Sequence, residues 1–389
     1  MSIERLETSI LYENPEPHVR SRHGFFPGLA ALPSGDLLGL FVISEAFESA
    51  DATTHIARSK DRGKSWVLEG ALRMKCGGGE TDAAAPAARG RLPEPFGPGT
   101  SDYLKPSALR DGTVVAVGYQ YHREDPDRGI VNAATGGFLA GDDLVAFSRD
   151  EGLTWTRPRA IRLNRPELLE ISGPCLELAS GDLAVVAAPL RMPDGGNPSG
   201  KAGIFLRSPD KGMTWSDDEI FFRDPAGKVI PYESRVCEMQ AGRLVTLAWA
   251  YDAEDGIHLP NHYTVSRDNG RTWSRPETTG HRGQASNLLW LGGDLLLTIH
   301  AHRGERPAIY VRVVDFRGDR WRMIEESAIY GRGATPQTRP GQTDAEMFTS
   351  LRFGQPSLLN LGDGEFMAAH WAVEDGQGKI RTHRLRVRV

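Results

Sequence analysis

Four stretches of the chain share an eight-residue pattern, Ser-x-Asp-x-Gly-x-Thr/Ser-Trp, and this repeat narrows the fold more than any other feature. They are Ser59–Trp66, Ser148–Trp155, Ser208–Trp215 and Ser266–Trp273. Each fixed position suits a tight turn between two strands. The Asp accepts hydrogen bonds from turn backbone, the Gly takes a positive φ, and the Trp covers the hairpin and buries apolar area. An apolar run such as Leu144–Phe147 supplies the incoming strand. The motif therefore reads as a hairpin staple, and the chain as a tandem array of hairpins.

A second repeat lies between the staples. Gly35, Gly112, Gly181, Gly242, Gly293 and Gly364 each centre a turn between two apolar strands. The segments are Gly24–Val42, Tyr103–Tyr121, Ser172–Arg191, Glu233–Tyr251, Gly283–His302 and Gly354–Trp371, which makes six units. In the first four, a staple hairpin follows. The fifth carries a decayed copy ending at Trp321, and the sixth only Lys379–Val389, where Leu385 and Val387 alternate with Arg384, Arg386 and Arg388. That alternation is a strand with one solvated basic face.

Four strands in each of six units predict an all-β chain, a six-bladed β-propeller of four-stranded antiparallel blades. Residues 1–389 form one domain in this reading. The N-terminal run Leu6–Tyr12 has no partner of its own and is expected to complete the sixth blade. With 44 Gly and 25 Pro among 389 residues, the chain has the turns that such a fold needs.

A net charge of −5 argues against nucleic acid or an anionic membrane as the main partner. No run approaches the roughly 20 apolar residues that cross a bilayer. The first residues lack the basic and then apolar pattern of a signal peptide, so a cytoplasmic location is expected. Cys76, Cys175 and Cys237 are odd in number and fit neither a disulfide framework nor zinc spacing. Cys175 and Cys237 fall in apolar strand patterns and are expected to be buried free thiols. No cofactor is called for.

Propeller topology puts the staples and the inner-hairpin turns at one end of the blades. The other end receives the longer loops Ser44–Thr54, Tyr121–Asp143 and Pro189–Lys201, and function is expected there, around the axis. The connection Arg73–Asp102 between the first two blades reads as a lid or a disordered connector. At that end the sequence collects acids (Glu48, Asp51, Glu170, Glu233), cations (Arg22, Arg235, Arg303, Arg306) and histidines (His23, His300, His302, His370). Tyr232, Trp249, Gln355 and Trp371 join them. Aromatics stack on the C–H face of a sugar, and paired carboxylates do glycosidic acid–base work. No Cys or Asp completes a metal set with the histidines, which are expected to donate to sugar hydroxyls instead.

With its staples and six units, the chain resembles the sialidase superfamily, the Asp-box glycosidases with six-bladed propellers. Those enzymes use a Tyr nucleophile assisted by a Glu, an Asp acid/base on the first blade, and three Arg that clamp the substrate carboxylate. By that resemblance, the segment Tyr232–Leu244 carries the assisting Glu as Glu233. Asp51 falls at the acid/base position with Glu48 as its local competitor, and Arg306 lies beside the third Arg. Phe25–Pro27 stands where the first Arg belongs, Trp249 where the second belongs, and Gln355 where the nucleophilic Tyr belongs.

The resemblance thus implies an exo-acting glycoside hydrolase outside the orthodox sialidase pattern, acting on a terminal sugar of an oligosaccharide, acidic sugars included. Asp51 would protonate the leaving oxygen, and Glu233 would activate water or assist another nucleophile. Arg22, His23, Arg235, Arg306, His300, His302, His370 and Gln355 would hold the sugar, with Trp249 as a stacking wall. Two other classes stay open. One is a lyase working beside a uronic-acid carboxylate with a His base, and the other a non-catalytic sugar-binding propeller.

Overall fold

The computed structural model describes residues 1–77, 96–97, 99–339, 342 and 344–388. Most of the expected lid or connector, residues 78–95, lies outside the described residues. Six antiparallel sheets surround a central axis. Blade one is built from His23–Ala31, Leu37–Ser44, Thr53–Ser59 and Val67–Ala71, running from the axis outward. The second strands of blades one and two, Leu37–Ser44 and Val114–His122, are buried at every position. A blade is covered by neighbours on both faces, so these strands are unbroken apolar runs in the sequence rather than alternating ones.

Blade six closes the ring with both ends of the chain. Its strands Phe353–Gly362, Glu365–Glu374 and Gln377–Arg388 are completed on the outside by Ser2–Tyr12. That strand pairs antiparallel from Ser2 opposite Arg388 to Tyr12 opposite Ile380, and begins four residues before the predicted Leu6. Cys175 and Cys237 are buried free thiols. No helix among the described residues is long and apolar enough to cross a membrane.

The staples have the predicted chemistry. In the fourth, Asp268 accepts from the Thr272 amide at 2.9 Å and from the Ser266 hydroxyl at 2.8 Å. Trp273 Nε1 donates to the Gly270 carbonyl at 2.9 Å. This hydrogen bonding holds Asp268 down to about 2, against its partial burial. The staple glycines also join blades. A Cβ on Gly152 would meet Leu38 of blade one at 3.1 Å, one on Gly212 would meet Phe147 of blade two at 2.7 Å, and one on Gly270 would meet Phe205 of blade three at 2.8 Å.

The innermost strands depart from regularity in a way that builds the site. Register shifts fall between Phe25 and Gly28, Tyr232 and Arg235, Gln284 and Ser286, and Gly354 and Ser357. Inside each, one non-glycine residue has positive φ: Phe26 at 53°, Glu233 at 43°, Ala285 at 26° and Gln355 at 38°. Such bulges bend a strand and re-aim a side chain. Left-handed geometry at these residue types is strained and persists only where surroundings enforce it.

Candidate active site

Three of the four bulge residues, Phe26, Glu233 and Gln355, line one cavity on the axis. Gln355 Nε2 donates to Glu233 Oε1 at 2.6 Å, and Gln355 Oε1 accepts from Lys105 Nζ at 2.8 Å. Lys105 is buried and also donates to the Phe26 carbonyl. Burial holds the Lys105 amine well below the usual lysine range. From blade three, Glu170 Oε2 accepts the Glu233 backbone N–H at 3.1 Å. The bulge carrying Glu233 is fixed from behind by Arg235. Its Nη1 donates to the Glu233 and Ser234 carbonyls at 3.0 and 2.9 Å and to Ser172 Oγ at 3.1 Å.

A second acid enters from the first blade's loop. Glu48 has φ 58° and lines the same cavity. Burial pushes its carboxyl up to about 7, partly countered by a hydrogen bond with Tyr103 and by Arg123, while the charge of Glu233 adds to the rise. Arg123 also fixes the loop backbone, with Nη2 donating to the Glu48 carbonyl at 2.8 Å and Nε to Ser101 Oγ at 2.8 Å. A carboxyl that keeps its proton near neutrality beside a second, hydrogen-bond-accepting acid is the arrangement that acid–base chemistry requires.

The walls are aromatic and aliphatic. Tyr119, Tyr121, Tyr232, Trp249 and Trp371 stand on the blades, and Ile130, Phe138 and Leu190 come from the loops of blades two and three. The short helix Asp344–Ser350 lays Met347 and Phe348 across the cavity, followed by Leu351. Phe348 lies 5.6 Å from Phe47, whose ring is 5.5 Å from Trp371. The helix end is tied down by Ser350 Oγ donating to the Gln337 carbonyl at 2.7 Å. Free space inside is about 80 Å³, below the roughly 300–1,000 Å³ of ordinary small-molecule sites. A larger depression, about 560 Å³, lies among turn residues of blade five including Asp294, Asp315 and Arg322, and holds no buried acid pair.

Of the residues singled out in the sequence, Glu233, Trp249 and Gln355 line the cavity. Asp51 does not: it is exposed, and its carboxylate accepts the Glu45 amide at 3.0 Å and the Ser49 hydroxyl, capping its own loop. Arg235 lies behind the wall, as described. His300 is fully buried, stacked on His281 at 5.1 Å and hydrogen-bonded to Arg312 at 3.2 Å. His302 faces Glu305 at 3.4 Å, and Arg306 is exposed, 3.5 Å from Glu326. His370 pairs with His383, Nε2 to Nε2, at 3.0 Å. His23 accepts the Gly378 amide at 2.8 Å through Nδ1, and Arg22 is exposed.

Glu170, Tyr232, Arg303 and Trp371 had been placed at this end of the propeller without a role. The sequence carries no signal for the aromatic lining of Phe26, Phe47, Tyr119, Tyr121, Phe138 and Phe348, since apolar rings in strands and loops read equally well as core. Among the described residues, no group of three or more His, Cys, Asp or Glu is placed to hold a metal ion.

No protein-family model and no curated protein matches the sequence. Solved structures do. A protein of unknown function from Dyadobacter fermentans superposes with a TM-score of 0.71 at 21% identity, over 99% of both chains. The intramolecular trans-sialidase from Ruminococcus gnavus gives 0.62 at 14% identity, covering 98% of each chain. The α-L-arabinanase of Penicillium chrysogenum gives 0.60 at 14% identity, again over 98% of each. At these identities the likeness is one of fold. In architecture, the chain is a six-bladed β-propeller, the fold it shares with these proteins.

Proposed function

We propose that the chain is a glycoside hydrolase that removes a terminal sugar from an oligosaccharide, with Glu48 as general acid and Glu233 as the second carboxylate. Glu48 takes the role that the sequence alone suggested for Asp51. The observation that carries the reading is the acid pair on the axis, one carboxyl raised to about 7 by burial and the other accepting from Gln355. Glu48 would protonate the leaving oxygen. Glu233 would act on the anomeric carbon, directly or through water. Aromatic walls suit stacking on a sugar ring, and the sialidase and arabinanase neighbours are glycosidases by name. Tyr103, Tyr119 and Tyr121 have phenols pushed well above the ordinary range by burial, which disfavours an ionised Tyr nucleophile among them. The lyase alternative relied on a His base, and no His lines the cavity among the described residues.

A sugar ring needs more room than the cavity offers, so binding requires the helix Asp344–Ser350 or Phe47 to shift. The test is hydrolysis of a panel of aryl glycosides of both anomers by wild type and Glu233→Gln. The expected result is turnover of at least one glycoside, falling about 10²–10⁴-fold in the variant. Turnover unchanged by the substitution would remove Glu233 from the mechanism, and no turnover of any glycoside would sink the hydrolase reading.

A further inference from the structure

We infer that the axial cavity takes an uncharged sugar that turns an apolar face to the protein, a 6-deoxyhexosyl unit being the simplest member of that class. The inference rests on the reading of the cavity as a sugar site and narrows what that sugar is. The charge on the walls is its first support. Among the described lining residues, Glu48, Glu170 and Glu233 are acids and Arg303 is the one cation. A substrate carboxylate placed there meets Glu170 and Glu233, two groups of like sign, and gains no positive charge from Glu48.

Arg303 is also poorly placed to clamp an anion. It is buried, and its Nε donates to the Phe353 carbonyl at 3.0 Å. Its Nη2 packs where a Cβ of Gly354 would stand, so the guanidinium lies against the backbone of blade six. Lys105 Nζ, which is buried and not part of the lining, is already taken by Gln355 and by the Phe26 carbonyl. The positions at which the resemblance places carboxylate-binding arginines hold Phe25 in the core, Trp249 in the cavity wall and Arg306 outside it, against Glu326. Two or more charge-assisted hydrogen bonds are thereby missing, which corresponds to about 100-fold or more in affinity.

The apolar part of the lining is the second support. Ile130, Phe138 and Leu190, from the loops of blades two and three, offer no hydrogen-bonding side chain, and Met347 and Leu351 of the cover add none. A hydroxymethyl or carboxylate buried against them would lose water without gaining a partner, whereas a methyl group gains contact. The polar groups of the lining, Glu48, Glu170, Glu233, Gln355 and Arg303 with Tyr119, Tyr121, Tyr232, Trp249 and Trp371, are those available to the ring hydroxyls and the glycosidic oxygen.

Two measurements test the inference with the same sugars. Methyl glycosides of fucose, rhamnose, galactose, glucosamine, glucuronic acid and N-acetylneuraminic acid are titrated by calorimetry into Glu233→Gln and, independently, Glu48→Gln. The nitrophenyl glycosides of those sugars are assayed with the wild-type protein. The expected result is that a 6-deoxyhexoside binds about 10-fold or more tightly than galactoside and about 100-fold or more tightly than either carboxylated sugar, with kcat/KM in the same order. A carboxylated or amino sugar that binds as well as the 6-deoxyhexosides overturns the inference, and if it is also hydrolysed the hydrolase reading stands without it. Binding of a 6-deoxyhexoside with no turnover of any substrate supports the inference and overturns the hydrolase reading. Absence of binding by all six sugars in both variants overturns the inference.

Discussion

Glu48 and Glu233 occupy one cavity, and their surroundings differ. Glu233 accepts from Gln355 at 2.6 Å, whereas Glu48 Oε2 is buried with no hydrogen-bond partner among the described residues. Desolvation then disfavours the charged form of Glu48 and places its titration at about 7. If Glu48 is the general acid, kcat/KM falls as pH rises through about 7, because the proton to be donated is lost. In Glu48→Gln that alkaline limb should vanish. The loss should be about 10²–10⁴-fold for a poor leaving group and much smaller for a nitrophenolate, which leaves without protonation. A pH–rate profile on both leaving groups checks this, and an unchanged alkaline limb in the variant assigns the acid elsewhere. The sequence puts the candidate acid in the loop Ser44–Thr54, at Asp51 with Glu48 as competitor. Asp51 has the more familiar spacing, yet its carboxylate turns back onto the Glu45 amide, while the left-handed φ of Glu48 directs that side chain to the axis. A loop's dihedral choice depends on packing with Tyr103 and Arg123, which are remote in the chain.

At the scale of the element, the staple does two jobs that its sequence pattern does not separate. Its Ser, Asp and Thr close the turn, and its Gly both takes φ 84° at Gly270 and brings the turn against Phe205 of the preceding blade. An Arg on the earlier blade completes the joint. Arg207 donates to the Asn269 carbonyl, and Arg58 Nη2 to the Glu151 carbonyl at 2.8 Å. Gly270→Ala therefore meets both a backbone penalty and a close contact. A loss of about 2–4 kcal/mol is expected from the two together, against little change in kcat for the same glycosides. Urea unfolding of the variant measures it, and a loss under about 0.5 kcal/mol would mean that the turn relaxes away from Phe205 without cost. Staples, turns and strand count were legible because each is a local pattern repeated along the chain. The bulges at Phe26, Glu233 and Gln355 were not, since Phe, Glu and Gln carry no local preference for positive φ and only the assembled ring imposes it.

For the molecule as a whole, the joint that closes the ring is the pairing of Ser2–Tyr12 with Gln377–Arg388. Across it runs a polar chain, Thr8 Oγ1 to His383 Nδ1 at 2.9 Å and His383 Nε2 to His370 Nε2 at 3.0 Å. The two imidazoles stack at 5.2 Å, with one facing ring nitrogen donating to the other. Burial lowers both pKa values; His370 and the nearby Arg5 and Arg381 lower that of His383 further, while Glu374 opposes the fall at His370. An unfolded chain takes up protons at these rings near pH 6.5, where the folded one does not. The unfolded state thus binds more protons below that pH. The contribution of the pair is fully present above about 6.5 and is lost as pH falls toward the lowered folded values. Buried His281 and His300 act with the same sign. Each proton taken up only on unfolding gives a slope of about 1.4 kcal/mol per pH unit. In His383→Asn, which keeps a polar partner for His370, the slope of unfolding free energy between pH 6 and 5 should shrink by about that amount. Urea titrations at the two pH values measure it. An unchanged slope would show that the pair accepts its proton without opening the seam, and that the closing joint of the ring is not where acid acts.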